Sequence, residues 1–182
     1  MNINFNTRYQ KVLTQFHQMP PKMTKQYKFF LAGFVEGEGS LCVSIKKTGK
    51  RIKADPEFNI AQNKSGIIHL IAFMDLFKTG NINFKSGSQH TYVYKITNRQ
   101  ALKEKFIPYY KQYVWPYACE SKRFTFKLMV QLLDLFEQKV HLDPKKFGLQ
   151  ILPLVYHISN EHCQRKNTKV ELTRITSKNK SI

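Results

Sequence analysis

The sequence predicts an α+β domain in which two pairs of antiparallel strands alternate with helices. Two stretches alternate apolar and polar residues with a period of two, the pattern of half-buried strands. Each of these stretches is followed by an apolar segment bounded by helix-capping residues. The chain has 182 residues, of which 42% are hydrophobic, and this is enough for one domain with a packed core. We therefore expect one antiparallel sheet with helices on one of its faces.

The first strong helix signal follows a threonine. Thr24 is a good N-cap residue, and it predicts a helix from Lys25 to about Glu36. Residues 1–24 are interpreted as a basic N-terminal extension, with a short amphipathic helix around Thr7–Gln18. The predicted domain then runs from residue 25 to residue 160.

The first strand pair begins after Gly39. The segment SLCVSIKK alternates, with Leu41 and Val43 on its apolar side. TGKRIKADP is predicted to be a polar connection, and EFNIAQ alternates again with Phe58 and Ile60 pointing inward. A helix through IIHLIAFMDLF follows, and the Thr-Gly pair after it closes that helix.

The second strand pair is predicted as a hairpin. NINFKSGSQHTYVYKI places an SGS turn between two alternating runs. Asn98 then caps a helix through RQALKEKFIPYY, and another helix covers RFTFKLMVQLLDLFEQ. Asp143-Pro144 opens a last helix that extends to about Ser159. Residues 161–182 are interpreted as a basic tail.

The composition favours a polyanionic partner. The chain has 30 Lys and Arg against 12 Asp and Glu, a formal net charge of +18. A basic ribosomal or membrane-surface protein shares this feature, but nucleic acid is favoured because neutralised phosphates release condensed counterions. Three cysteines without CxxC spacing argue against a disulfide framework or a zinc site.

The second face of the predicted sheet is polar throughout. An ordinary solvated sheet face has the same composition, but the net charge favours a nucleic-acid-binding surface. Asparagine can pair with adenine, and lysine with guanine or phosphate. The candidate base-reading residues of this face, which the resemblance described below assigns to DNA, are Ser44, Lys46, Glu57, Asn59, Asn81, Asn83, Lys85 and Thr91.

The stretch FLAGFVEGEGSLCVS joins the first helix to the first strand. Gly33 and Gly37 lie four residues apart, on one helical face. Such small residues suit either close packing on the chain's own sheet or contact with a second copy at a two-fold axis. We expect contact with a second copy. The predicted interface consists of Leu31, Ala32, Gly33, Val35 and Glu36.

Two acidic residues end this helix at a spacing of two. Glu36 and Glu38 therefore cannot lie on one helical face. Glu38, between two glycines, is expected to present its carboxylate outward. Two copies of Glu38 near a two-fold axis would need a cation between them, and oxygen ligands beside phosphates suit Mg²⁺.

The nine residues LAGFVEGEG resemble the LAGLIDADG motif of homing endonucleases. The stretches ADPEFNIAQ, LFKTGNINFKSGS and FIPYYKQYV resemble single-motif members encoded in group I introns of organellar large-subunit ribosomal RNA genes. The resemblance covers about Phe29 to Gln138. It implies an αββαββα core with a four-stranded antiparallel sheet and extra C-terminal helices. The motif occurs once, which in this family implies a homodimer.

The resemblance also implies an activity and residue roles. It implies intron homing by a site-specific endonuclease that hydrolyses both strands of a pseudo-palindromic DNA target with Mg²⁺, leaving short 3′ overhangs. Glu38 matches the metal-binding acid, assisted by the carbonyl of Gly37, and Gln62 matches a residue that orders water. Lys122 is the expected basic catalytic residue, with Arg123 as the alternative. Glutamate replaces aspartate at both acidic positions, which keeps the charge and adds a methylene.

Two rival functions remain open at this point. Relatives of this family act as maturases that bind intron RNA, and a transcription regulator with this fold ranks last. The retained Glu36 and Glu38 favour a nuclease. The abundance of Asn, Lys and Ile hints at an A+T-rich gene, and together with the resemblance it indicates an organelle. A chloroplast is expected, with a mitochondrion as the alternative.

Overall fold

The computed structural model describes residues 4–48 and 51–160, and it has the predicted αββαββα core. The elements in chain order are α1 (Phe5–Phe16), α2 (Lys25–Glu38), β1 (Gly39–Thr48), β2 (Arg51–Asn63), α3 (Ile67–Phe77), β3 (Asn81–Phe84), β4 (Thr91–Ile96), α4 (residues 99–114), α5 (Glu120–Glu137) and α6 (residues 144–160). Helices α4 and α6 mix α-helical with π-helical turns. The predicted basic tail, residues 161–182, lies outside the described residues.

The four strands form one sheet in the order β1-β2-β4-β3. Strand β4 pairs antiparallel with β2 and with β3. In this register Ile60 lies beside Tyr94, and Tyr94 lies beside Ile82. Because paired residues point to the same side of a sheet, these three side chains lie on the apolar face, as the alternation predicts.

Strand β2 begins earlier than the sequence indicates, so the predicted polar connection is wrong in its second half. Residues from Arg51 onward already belong to the strand, and Ala54 is 1% exposed. Pro56 lies within β2, but the pairing of β2 with β4 starts only at Phe58. A proline there removes no hydrogen bond to β4, because Pro56 lies outside that pairing.

The chain divides into two compact units, and residues 1–40 and 57–119 form the first. Its core is aromatic: the ring of Phe58 stacks on Phe106 at 4.3 Å, and Phe73 stacks on Tyr94 at 6.1 Å. Burial raises the pKa of Tyr94, whose hydroxyl donates to a backbone carbonyl at 3.1 Å. Gly80 follows α3 with a φ of +82°, and a Cβ there would lie 2.5 Å from the Tyr94 ring. Glycine is therefore required at this turn.

The second unit contains residues 41–56 and the chain from Glu120 onward. Helices α5 and α6 pack together. The predicted Asp143 cap is confirmed, because its carboxylate accepts from the backbone N–H groups of Lys145 and Lys146 at 2.8 and 3.1 Å. Among the described helices of both units, none has the length and apolar character of a membrane span.

Candidate active site and nucleic-acid interface

Glu38 is the last residue of helix α2, and the next residue already belongs to strand β1. The turn is tight because the Gly39 N–H donates to the carbonyl of Val35. A Cβ on Gly39 would lie 2.5 Å from that carbonyl oxygen, so only glycine allows the direct passage from helix to strand. The Glu38 side chain is exposed at this junction, as the sequence predicts.

The donors around Glu38 fit half of a site for a hard cation. Its carboxylate faces solvent, and the carbonyl of Gly37 lies in the last helical turn, where carbonyls have no intrahelical donor. Carboxylate and carbonyl oxygens are the ligands that Mg²⁺ prefers. Within the described residues no group of three or more His, Cys, Asp or Glu side chains is clustered for metal binding. Among the described residues, the candidate site thus contains the one carboxylate of Glu38.

Helix α2 uses its motif residues for two different surfaces. Leu31, Ala32 and Val35 are 0%, 4% and 3% exposed, respectively, so their side chains fill the core of this chain. Their predicted contact with a second copy stays a prediction. Gly33 and Gly37 are exposed, and a Cβ on either would have nothing within 4 Å. The face available to another molecule is therefore the glycine face.

An aromatic patch lies on the exposed part of α2 and on α3. It consists of Tyr27, Phe30, Phe34 and His69, with ring-centroid distances of 5.7 Å from Tyr27 to Phe30 and 4.6 Å from Phe34 to His69. Phe30 is 48% exposed. The Tyr27 hydroxyl and the His69 Nδ1 atom are buried without a hydrogen-bond partner among the described residues. Burial accordingly raises the pKa of Tyr27 and lowers the pKa of His69.

Glu36, the first motif acid, has a partner within its own unit. One carboxylate oxygen accepts a hydrogen bond from the backbone N–H of Cys119 at 2.9 Å. The other oxygen is buried without a partner in the described part of the chain. Glu36 was predicted as a dimer-contact residue; the structure shows that it also ties helix α2 to the segment that follows α4.

Gln62 lies next to the last residue of β2, as predicted. Its strand partner is Tyr92, so it points to the same side of the sheet as the apolar core. Its amide lies close to Gly66, beyond the end of the strand. A Cβ on Gly66 would lie only 2.7 Å from the Gln62 Oε1 atom. Gly66 thereby leaves the space that this side chain occupies.

Lys122 and Arg123 lie in the first turn of helix α5, and both are half-buried. This helix belongs to the second unit. The basic catalytic role of Lys122 stays a prediction from the resemblance.

Side chains on the polar face of the sheet form two separate groups of contacts. Asn59 Nδ2 donates to the carboxylate of Glu57 at 3.1 Å, and Lys95 Nζ reaches the same oxygen at 3.3 Å. Nearer the start of the sheet, Lys46 pairs with Asp55 at 2.9 Å. The predicted readers Lys46, Glu57 and Asn59 are thus held by neighbours before any ligand binds. In the two ion pairs, Lys46–Asp55 and Lys95–Glu57, the charges cancel. This part of the face therefore contributes little to the net charge.

The remaining predicted DNA-binding residues are distributed along the same face and its turn. Asn81, Asn83 and Lys85 are exposed, whereas Ser44 and Thr91 are half-buried. The pairing of β3 with β4 places Asn81 beside Lys95 and Asn83 beside Val93, which confirms that the two asparagines share the non-core face. Their contact with DNA stays a prediction.

Three further residues lie on this face or at its edge, and the sequence analysis did not select them. Asp55 and Lys95 supply ion-pair partners, and Arg8 Nη1 donates to the amide oxygen of Asn81 at 2.9 Å. The alternation of Ile52, Ala54 and Pro56 would have revealed the strand that carries Asp55. Nothing in the local sequence around Arg8 indicates its distant partner.

The comparison with known families decides the classification. Residues 31–133 match the sequence model of a family described as LAGLIDADG endonuclease. The chain belongs to the LAGLIDADG endonuclease family. The match begins at the first motif residue and ends inside α5, so helix α1 lies outside the matched segment.

Two curated relatives are similar in sequence. The DNA endonuclease I-CeuI of Chlamydomonas moewusii is 42% identical over 136 residues, which cover 73% of this chain and 62% of the relative. The homing endonuclease I-ApeII of Aeropyrum pernix is 30% identical over 82 residues, covering 43% and 48%. The chain thus spans less than two thirds of the length of either relative.

Two solved structures share the fold of this LAGLIDADG chain. A group I intron-encoded homing endonuclease, I-CeuI complexed with DNA, superposes with a TM-score of 0.88 at 33% identity, covering 95% of this chain and 86% of the other. The archaeal intron-encoded I-Vdi141I complexed with DNA has a TM-score of 0.74 at 27% identity, covering 85% and 98%. The predicted family and fold are therefore confirmed.

Proposed function

We propose that this chain is a homodimeric homing endonuclease that hydrolyses both strands of a pseudo-palindromic DNA site. The observation that carries the proposal is the position of Glu38. An exposed carboxylate at the helix–strand junction lies directly beside the first strand of a sheet whose other face is polar. Relatives with this fold are DNA endonucleases in complex with DNA, which supports DNA as the substrate.

The proposed dimer would form through helix α2. Its exposed glycine face offers close approach of two helix backbones, and the aromatic patch extends that surface toward the start of the helix. A second copy would cover Phe30, which is half exposed in a single chain. It would also supply the second Glu38 carboxylate that a cation-binding site requires.

The proposed chemistry uses residues of each copy at one scissile phosphate. Glu38 and the Gly37 carbonyl would hold Mg²⁺, and Gln62 would orient the attacking water through its amide. The chemistry that a bound Mg²⁺ supplies is neutralisation of the charge that develops on the phosphate oxygens. Lys122 would offer a positive charge to the leaving group, an assignment that rests on the resemblance. Hydrolysis by water leaves no covalent intermediate on the protein.

The polar sheet face would read the target. Asn59, Asn83 and Lys85 present amide and ammonium groups of the kinds that pair with base edges in the major groove. The Glu57–Asn59 and Glu57–Lys95 contacts hold part of this surface in place, which lowers the entropy lost when DNA binds.

One assay tests the proposal. A plasmid that carries an intronless large-subunit rRNA gene is incubated with the protein, with Mg²⁺ or with EDTA. We expect a single double-strand cut with 3′ overhangs in Mg²⁺ alone. Binding of intron RNA without any DNA cleavage would instead support the maturase function, and uncut plasmid without RNA binding would contradict both. The proposed organelle, a chloroplast, is tested by locating the gene that encodes the chain.

A further inference from the structure

A long-range hydrogen bond joins the N-terminal helix to the edge of the sheet. Arg8 Nη1 donates to Asn81 Oδ1 at 2.9 Å, although 73 residues separate the two in sequence. Asn81 begins β3, the edge strand, and its side chain is exposed. Helix α1 lies outside the segment that the family model matches.

Helix α1 is held in place by residues that follow Arg8. The Tyr9 hydroxyl is hydrogen-bonded to the Asp75 carboxylate of α3, and burial together with this carboxylate raises the pKa of Tyr9 to about 12. Lys78 Nζ lies 5.8 Å from the centre of the Tyr9 ring. Toward the end of the helix, Phe16 packs edge-on against Tyr92 at 5.1 Å. The guanidinium is therefore carried by a docked helix.

The chemistry of arginine determines which end of the asparagine amide it meets. A guanidinium only donates hydrogen bonds. The atom of Asn81 that it contacts must therefore be the amide oxygen, and the amide NH₂ group points away from Arg8. An asparagine that pairs with adenine needs both its oxygen and its NH₂ directed at the base. Asn81 held in this way directs mainly its donors outward.

We propose that Arg8 is a specificity-determining positioning residue. It turns Asn81 so that the NH₂ group faces the DNA, and the selected base edge presents acceptors to both N–H groups or an acceptor alone: N7 and O6 of guanine or O4 of thymine. Adenine is selected against because its N7 acceptor lies beside the N6 donor group. Bidentate pairing with adenine and acceptance from cytosine N4 are disfavoured. This inference rests on the proposed DNA-reading function and refines it at one position in each half-site.

Selection from a randomised duplex library, followed by sequencing of the bound fraction, measures the base preference at every position. The variant Arg8→Met removes the donors but keeps an unbranched stem, and Arg8→Lys restores one donor. Lys11→Met is the matched control because Lys11 is an exposed cation on the same helix. Thermal unfolding and the salt dependence of binding are measured for each variant.

We expect wild type to select guanine or thymine at one position in each half-site. Arg8→Met should reduce this preference roughly fivefold or more, with adenine gaining, while the other positions stay unchanged. Arg8→Lys should restore part of the preference, and Lys11→Met should have no effect on it. Independently, Asn81→Asp turns the outward atom into an acceptor and should shift the selected base to cytosine or adenine.

Three results would overturn the inference. A lower salt slope with an unchanged base profile in Arg8→Met would mean that Arg8 contacts phosphate. Loss of preference at many positions together with a lower Tm would make α1 a purely structural clamp. An unshifted base at that position in Asn81→Asp would remove Asn81 from readout. If wild type selects no sequence at all, the proposed function itself fails, and the inference fails with it.

Discussion

The amide oxygen of Gln62 lies 2.7 Å from the point that a Cβ atom on Gly66 would occupy. Gly66 has ordinary backbone angles, φ −98° and ψ 14°, so alanine is compatible with the main chain. A methyl group at this position must therefore displace the flexible end of Gln62. This relationship makes the proposed role of Gln62 testable without removing the side chain.

Gly66→Ala is expected to lower the cleavage rate while the thermal unfolding temperature changes little. The reason is that only the Gln62 amide has to move, and a shift of about 1 Å in a positioning group can cost about a hundredfold in rate. Ser65→Ala in the same turn is the control. In the double variant Gly66→Ala/Gln62→Ala, the two losses should not add. A fully additive loss would show that Gly66 acts through something other than Gln62.

Glu38→Gln keeps the shape of the exposed side chain and removes its charge. Cleavage in Mg²⁺ should fall by orders of magnitude, because a ligand for the proposed cation is lost. DNA affinity in EDTA should stay the same or increase, since a carboxylate repels phosphate. Glu104→Gln, an equal change of charge at an exposed site on α4, should leave both unchanged. Wild-type cleavage by Glu38→Gln would refute the assignment.

Gly33→Leu tests the proposed dimer contact. Apart from its chain neighbours and the backbone of its own helix, no atom of the described residues lies within 4 Å of a Cβ at Gly33, so a single chain should fold normally with leucine there. Overpacking a close helix–helix contact costs about 1–3 kcal/mol, so sedimentation equilibrium should show a weaker dimer, and double-strand cleavage should fall with it. Gln131→Leu on the exposed side of α5 is the control. A Gly33→Leu dimer as tight as wild type would place the contact elsewhere.

Gly39→Ala should weaken the fold rather than the dimer. The added methyl group would lie 2.5 Å from the Val35 carbonyl oxygen, and backbone must move to relieve this contact. We expect a loss of about 1–3 kcal/mol in the free energy of unfolding, measured by denaturant titration. At protein concentrations too low for the proposed dimer to form, Gly33→Ala, at an open position of the same helix, should instead be neutral or slightly stabilising. Equal stability of the two alanine variants would contradict the described junction.

His69 should make stability depend on pH below neutrality. Burial lowers its pKa from 6.5 in the folded chain, so the unfolded chain binds the proton more readily. The contribution is fully present above pH 6.5 and is lost as pH falls from 6.5 through the lower folded-state pKa. In His69→Phe, the acid-side decrease in Tm should be smaller than in wild type. His90→Phe, in the exposed β3–β4 turn, should leave the pH profile unchanged.

Local sequence was sufficient for the elements and for the family. Thr24 and Asn98 cap their helices as predicted, each by accepting a hydrogen bond from the backbone N–H three residues on. The alternation after Gly39 and before Gln62 marked two strands and their apolar sides. These features depend on backbone geometry within a few residues. Side chains repeat every 2 residues in a strand and every 3.6 in a helix, so even a short stretch distinguishes the two. The motif that identifies the family is equally local.

Tertiary structure decided which side of each helix or strand is buried and which side is available to a partner. Burial of Leu31, Ala32 and Val35 leaves the glycine face of α2 for a partner, and helical periodicity alone allowed either side. Pro56 lies outside the pairing of β2 with β4, which depends on where a strand far along the chain ends. The Arg8–Asn81 bond depends on the docking of α1 against α3 and β4. Each of these outcomes depends on packing between segments distant in sequence, and a local pattern carries no information about which distant surface it will meet.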